Sequence, residues 1–338
     1  MELQYAENFA VDYYEDGYKM LTTLPDSKRY LLVPEGQPVP RGLDEDVSIL
    51  QEPLQNIYLV ASGVMDMFAS VDAVDQIRFS GQKQENWYIQ TAKDAMAAGN
   101  MIYAGKYSKP DYELLVSEGC DLAIENRMIT HSPEVVEMLQ SFDIPVMIEY
   151  SSYEQHPLGK VEWVKFFGAL TGKEVEAEEA FAEQTEILEE VESGEKTGKT
   201  IAFFYVTSNG LIQVRQSTDY IPKLIELAGG RYIFEDLEDS GSGRSTLNMQ
   251  VEDFYAGAKD ADILIYNSSI DGGVTTLDEL IGKCNILKDF KALQEGQVYC
   301  TTNDMYQQSM AIGYLLQDMH TVLTDDDTAK LRYLFLLQ

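Results

Sequence analysis

The chain has 338 residues, 45% hydrophobic and 24% charged, with 57 acids against 25 bases and a formal net charge of −32. That balance argues against nucleic acid and anionic membrane surfaces as partners, since both call for clustered Lys and Arg. The length exceeds one ordinary core and suits two domains of about 150 residues each.

Three cysteines, Cys120, Cys284 and Cys300, form no CxxC pair, so no disulfide framework is expected. No run of about 18 apolar residues is present, which excludes a conventional spanning helix. The start, Met1-Glu-Leu-Gln-Tyr5, has neither a basic region nor an apolar core of a signal segment. Either a cytosolic protein or one whose signal has been removed fits that start.

In chain order, Phe9–Tyr14, Gly17–Leu21 and Tyr30–Val33 alternate apolar and polar residues, and Asp16-Gly17 is a hairpin turn signal, so a small antiparallel entry hairpin is expected. Ile57–Ala61 reads as a short buried strand, followed by Ser62-Gly63 and a helix to about Ser70. Gln76–Phe79 is a strand, followed by a long polar insertion holding Trp87 and Tyr88. Leu122–Ile124 and Pro145–Ile148 are strands, each preceded by a helix. Apolar, non-alternating strands interleaved with helices predict a parallel sheet covered on both faces.

From 157 to about 193 the period is helical throughout, with a break at Thr171-Gly172. Strands then resume at Lys199–Val206 and, across a Ser208-Asn209-Gly210 turn, at Leu211–Arg215. A helix over Asp219–Ala228 stops on Gly229-Gly230, strands follow at Asp262–Tyr266 and Gln297–Cys300, and a helix covers 306–323. The expected fold is therefore α/β: two Rossmann-like lobes with parallel sheets (1–155 and 198–338) and a helical connector (156–197), with a ligand cleft between the lobes.

The stretch "SKPDYELLVSEGCDLAIE" (108–125) reads as a capped helix feeding a buried strand. Ser108 and Asp111 suit a capping box with Pro110 in the first turn, and Tyr112, Leu115 and Val116 share a face that should pack on the sheet. Glu113 lies off that face; stabilisation of the helix dipole is one sufficient role for it. A faint echo follows in the second lobe, where Glu252 precedes Asp262-Ile-Leu-Ile as Glu113 precedes Asp121-Leu-Ala-Ile.

No GxSxG, GxxxxGK[ST] or HExxH motif is present, and His131, His156 and His320 are scattered, so neither hydrolytic chemistry nor a bare-metal His site is expected. Aromatics and the few arginines fall where α/β folds place ligand loops, just after strands. Trp87, Arg127, Tyr153, Arg215, Arg244 and Tyr306 are the candidate ligand contacts. For each arginine, an anion anchor and a local ion pair both fit.

Four stretches carry a resemblance: "SKPDYELLVSEGCDLAIE", "LQSFDIPVMIEYSSYEQHPLGKVEWVKFFGALTGKEVEAEEAF", "TDYIPKLIELAGG" and "VEDFYAGAKDADILIYNSS". From about residue 55 to 323 the chain resembles the substrate-binding proteins of ABC importers for iron chelates, haem and cobalamin. The resemblance implies two lobes joined by a rigid long helix. It implies capture of a metal chelate (a ferric siderophore, otherwise haem or a corrinoid) and delivery to a membrane permease, without enzymatic activity. It further implies no intrinsic cofactor, a monomer, and an extracytoplasmic location, periplasmic or lipid-anchored, with the signal segment absent. Glu113 and Glu252 match the family's permease-docking acids, although ten residues separate Glu252 from Asp262 where eight separate Glu113 from Asp121. The alternatives are a zinc or manganese binding protein, a two-lobed chelatase-like enzyme, and a sensing ectodomain without a transport partner.

Overall fold

The computed structural model describes residues 1–238, 245–268, 273–324 and 330–338, which form two compact units. The first comprises 1–154, 158–182 and 307–310; the second comprises 155–157, 183–306 and 311–338.

The first unit opens with a four-stranded sheet: β1 (Phe9–Tyr13), β2 (Lys19–Thr23), β3 (Lys28–Val33) and β4 (Val47–Gln51). The β1–β2 turn takes positive φ at Asp16 (59°) and Gly17 (87°), the conformation that the Asp-Gly pair predicts. The sheet exceeds the expected hairpin because β3 continues it antiparallel and β4 returns parallel to β3 after the proline-containing loop.

The second sheet of this unit is entirely parallel. It contains β5 (Ile57–Leu59), β6 (Ile77–Ser80), β7 (Ile102–Tyr103), β10 (Leu122–Asn126) and β11 (Val146–Glu149), in the order β11-β10-β5-β6-β7. The intervening pieces are α1 (Val64–Ser70), α2 (Gln90–Ala97), the ribbon β8 (Gly105–Lys106) and β9 (Lys109–Pro110), α3 (Tyr112–Ser117) and α4 (Pro133–Ser141). The polar insertion after β6 is thus largely helical.

Two helices follow, α5 (Pro157–Thr171) and α6 (Glu174–Glu192), separated at Gly172 with φ 72°. Leu158, Val161, Trp163, Val164, Phe166 and Phe167 of α5 are all buried, so this helix is enclosed rather than amphipathic. Its three ionic residues, Lys160, Glu162 and Lys165, are enclosed with it. Glu162, fully buried, accepts hydrogen bonds from the N–H groups of Gln4, Tyr5 and Ala6, while Glu154, just upstream, accepts from Glu7 and Asn8. Five consecutive backbone donors are satisfied this way, which ties the first residues to the unit. The division between the units falls within α6, after Ala182. Its 19 residues give a helix of roughly 28 Å at 1.5 Å per residue.

The second unit has a mixed sheet: β12 (Thr200–Val206), β13 (Ile212–Arg215), β14 (Arg231–Tyr232), β15 (Thr246–Met249), β16 (Ile263–Tyr266), β17 (Val298–Thr301) and β18 (Leu334–Leu336). β14 and β16 run parallel to β12, and β17 runs parallel to β16. The flanks depart from the expected parallel sheet. β13 pairs antiparallel with both β12 and β15, and β18 closes the other edge antiparallel to β17. A five-residue turn (207–211), with Gly210 at φ 80°, leaves β13 no crossover and so forces the antiparallel pairing. The helices are α7 (Tyr220–Leu227), α8 (Val251–Ala258), α9 (Leu277–Lys283), α10 (Lys291–Gln294) and α11 (Ile312–Thr324).

Candidate functional site

In the first unit, β10 and β11 are adjacent and parallel, so the turns that leave their C-terminal ends lie side by side. The turn Arg127–His131 follows β10, and Ser151–Tyr153 follows β11. The Asn126 side chain accepts from the Met128 N–H at 2.9 Å and shapes the first turn. The Arg127 guanidinium then lies 4.7 Å from the Tyr153 ring centroid, and Tyr150 stands edge-on to Tyr153 at 6.4 Å. Met128 and Tyr153 are 50% and 39% exposed. A cation and two aromatic rings thus meet at the C-terminal edge of a parallel sheet, and the exposed Met128 lies on the same turn as Arg127. Such a surface can hold a large, planar or anionic solute.

In the second unit the structure brings Arg215 and Tyr306 together. Arg215 ends β13, and its Nη2 donates to the Tyr306 hydroxyl. Asn267, just past β16, donates to the same oxygen at 2.6 Å, and Asp219 accepts from Arg215 Nη1 at 3.3 Å. The Tyr232 hydroxyl donates to the Arg215 carbonyl at 2.8 Å. Burial works against the Arg215 charge, but Tyr306 and Asp219 beside it outweigh that, so its pKa lies above the ordinary value. Burial raises the Tyr306 phenol, and Arg215 offsets part of the rise. Of the two roles open to Arg215, the local ion pair is present: the buried Asp219 carboxylate already partners it.

Trp87 does not have the expected placement. Its ring is fully buried, and its Nε1 donates to Ser80 Oγ at 3.0 Å. A fully enclosed ring has no face left for a ligand, so Trp87 is a core residue; its neighbour Tyr88, 47% exposed, is the outward aromatic. Arg244 lies outside the described residues. Among the described residues no group of three or more His, Cys, Asp and Glu is placed to hold a metal ion. No helix among them is long and apolar enough to cross a membrane.

The two acids on the helices have matching placements. Glu113 is exposed and is the second residue of α3; Glu252 is exposed and is the second residue of α8. Each helix is followed by three residues, 118–120 and 259–261, and then by an aspartate that opens a parallel strand. Asp121 accepts from the N–H groups of Gln55 and Asn56 at 2.9 and 2.8 Å, just ahead of β5. Asp262 accepts from the N–H and hydroxyl of Thr200, the first residue of β12, at 2.7 and 2.8 Å. Burial opposes the Asp262 charge, but Lys291 at 2.6 Å and Thr200 hold its pKa below the ordinary value. The unequal sequence spacing is therefore absorbed by helix length, six residues in α3 and eight in α8.

Local details around α3 differ from expectation. Asp111 alone is the N-cap, accepting from Leu114 N–H at 3.1 Å, and Pro110 belongs to β9 rather than to the first turn. Leu115 is fully buried, but Val116 is 47% exposed, since so short a helix turns only a narrow stripe to the sheet.

No family model matches the chain. An uncharacterized lipoprotein of Methanocaldococcus jannaschii is 24% identical, the match covering 95% of this chain and 81% of that protein. The periplasmic haem-binding protein of Vibrio cholerae superposes with a TM-score of 0.62 at 14% identity, covering 79% of this chain and 98% of that one. A protein of the ABC-type Fe3+-hydroxamate transport system of Saccharomonospora viridis gives a TM-score of 0.60 at 16% identity, covering 80% and 93%. The chain thus has the two-lobed α/β fold of these haem-binding and Fe3+-hydroxamate transport proteins.

Proposed function

We propose that the chain is an extracytoplasmic solute-binding protein that captures a metal chelate and delivers it to an ABC importer permease. A ferric siderophore is the first choice of ligand, then haem or a corrinoid. The chelate supplies its own metal ligands, which suits a chain with three scattered histidines. Arg127 with Tyr153, and Arg215 with Tyr306, are the contacts assigned to it; Trp87 is not among them. The lipoprotein name of the relative favours a lipid anchor.

The observation that carries the reading is the shared placement of Glu113 and Glu252 on two helices built alike in two separate units. Exposed carboxylates at such positions can form charge-assisted bonds to arginines of a permease. The net charge of −32 would steer the encounter with a basic face. The test is an absorbance titration of the purified protein with a ferric hydroxamate, a ferric catecholate, haemin and a corrinoid. Saturable binding of one class supports the reading; binding of none, with tight binding of zinc or manganese, replaces it with the bare-metal alternative.

A further inference from the structure

Glu125 is the fourth residue of β10, inside the parallel sheet of the first unit, and it is fully buried. Neither of its carboxyl oxygens has a hydrogen-bond partner among the described residues. Every other buried acid described above is held by backbone N–H groups, a hydroxyl or a cation. An ion without any of these is expensive in an apolar setting, so the group is carried as the neutral acid.

Strand alternation places Glu125 on the same face as Ala123. That face belongs to an apolar core made with Tyr58 of β5, Val60 just after it, Leu115 of α3, Ile129 of the 127–131 turn, and Val135 and Leu139 of α4. The titratable groups that feel its charge are Tyr58 on β5 and Tyr112 on α3. Cys120, ahead of β10, acts on Tyr58, and Glu134 on α4 acts on Tyr112. None of these is a cation. Burial alone pushes the Glu125 carboxyl up, to about 8.

We propose that Glu125 is a buried proton-binding switch in the first unit: neutral, it lets α3, α4 and the 127–131 turn close over the sheet, and ionised, it loosens that layer. Ionisation releases one proton to solvent and leaves a carboxylate that must draw in water or move. Leu115 anchors the helix that bears Glu113, and Ile129 anchors the turn that bears Arg127. Any effect on docking or capture rests on the function proposed above; the structural effect does not.

The test is hydrogen exchange of the full chain, read by mass spectrometry and corrected for intrinsic rates, between about pH 6 and pH 9. In the native protein, segments 112–117 and 127–131 should lose about tenfold or more in protection as pH rises, relative to 200–206 in the second unit. Glu125→Gln should abolish that loss. The same loss in Glu125→Gln, or no loss in the native protein, overturns the proposal. Infrared difference spectra of the native protein give a second readout that needs no variant to fold. A protonated-carboxyl carbonyl band must be present at the lower pH and vanish at the higher, and its absence at the lower pH also overturns the proposal. Neither measurement uses a chelate or a permease, so failure here leaves the proposed function standing.

Discussion

Glu113 and Glu252 occupy the same position, the second residue of a helix that is separated by three residues from a strand-opening aspartate. Their carboxylates are exposed and neither is needed for packing. Replacing both with alanine should leave unfolding midpoints and chelate affinity unchanged, within about 0.5 kcal/mol for surface sites. Uptake by cells carrying the double variant should fall to background. Normal uptake with normal expression would remove both residues from the docking role.

Arg127 is stacked against Tyr153, and both lie at the C-terminal edge of the first unit's parallel sheet. Arg127→Ala should weaken an anionic chelate by about 1.5–3 kcal/mol, the worth of a hydrogen bond to a charged group, with little change in stability. Arg215→Ala should behave differently. It leaves the buried Asp219 carboxylate without its guanidinium, so it should lower stability by roughly 3–5 kcal/mol as well as affinity. Calorimetry of both variants separates the two effects. Equal stability losses would contradict the contrast between an exposed and a buried arginine.

The Glu125 carboxyl has an ordinary value of 4.5 and a folded value of about 8. Below the first, folded and unfolded chains both hold the proton, and the contribution to stability is intact. Between the two, only the unfolded chain ionises, so stability falls as pH rises, by about 1.4 kcal/mol per pH unit at most. Above the folded value the loss is complete. Urea unfolding followed from about pH 5 to 9 should show this decline, and Glu125→Leu should remove it while raising stability at the alkaline end. A decline that persists unchanged in Glu125→Leu would assign it to other groups.

Glu162 holds three consecutive backbone N–H groups of the chain's first residues. Glu162→Ala strands those donors; Lys165, 3.5 Å from Glu162, keeps Glu178 at 2.9 Å. A loss on the order of 3 kcal/mol is expected, with early proteolysis of residues 1–8. Protection of that segment equal to the native level would show that the Glu154 hydrogen bonds and β1 pairing suffice to hold it.

Much of the architecture is legible in the sequence because it follows from period and punctuation. Asp16-Gly17 and Asn209-Gly210 mark hairpins that form, and the run from 157 to 193 forms α5 and α6 with their break at Gly172. Beyond that β12–β13 hairpin, the antiparallel pairings of β15 and β18 in the second sheet are not legible, since strand direction depends on how the chain returns rather than on the strand's residues. Single side chains are harder still. Trp87 sits in a polar stretch that looks like a loop, yet Ser80 offers its indole a buried partner and the ring goes inside. Val116 fits a helical stripe that six residues are too few to bury. Glu125 stands at the end of an apolar run in a strand covered on both faces, where any side chain would be enclosed; that is the one sequence signal of its burial.

The central claim is that this protein holds a metal chelate, and equilibrium titration of the purified chain with ferric hydroxamate, ferric catecholate, haemin and a corrinoid tests it most directly. The account predicts saturable one-to-one binding of one of these classes, weakened by Arg127→Ala. Binding of none of the four by a folded protein would contradict it.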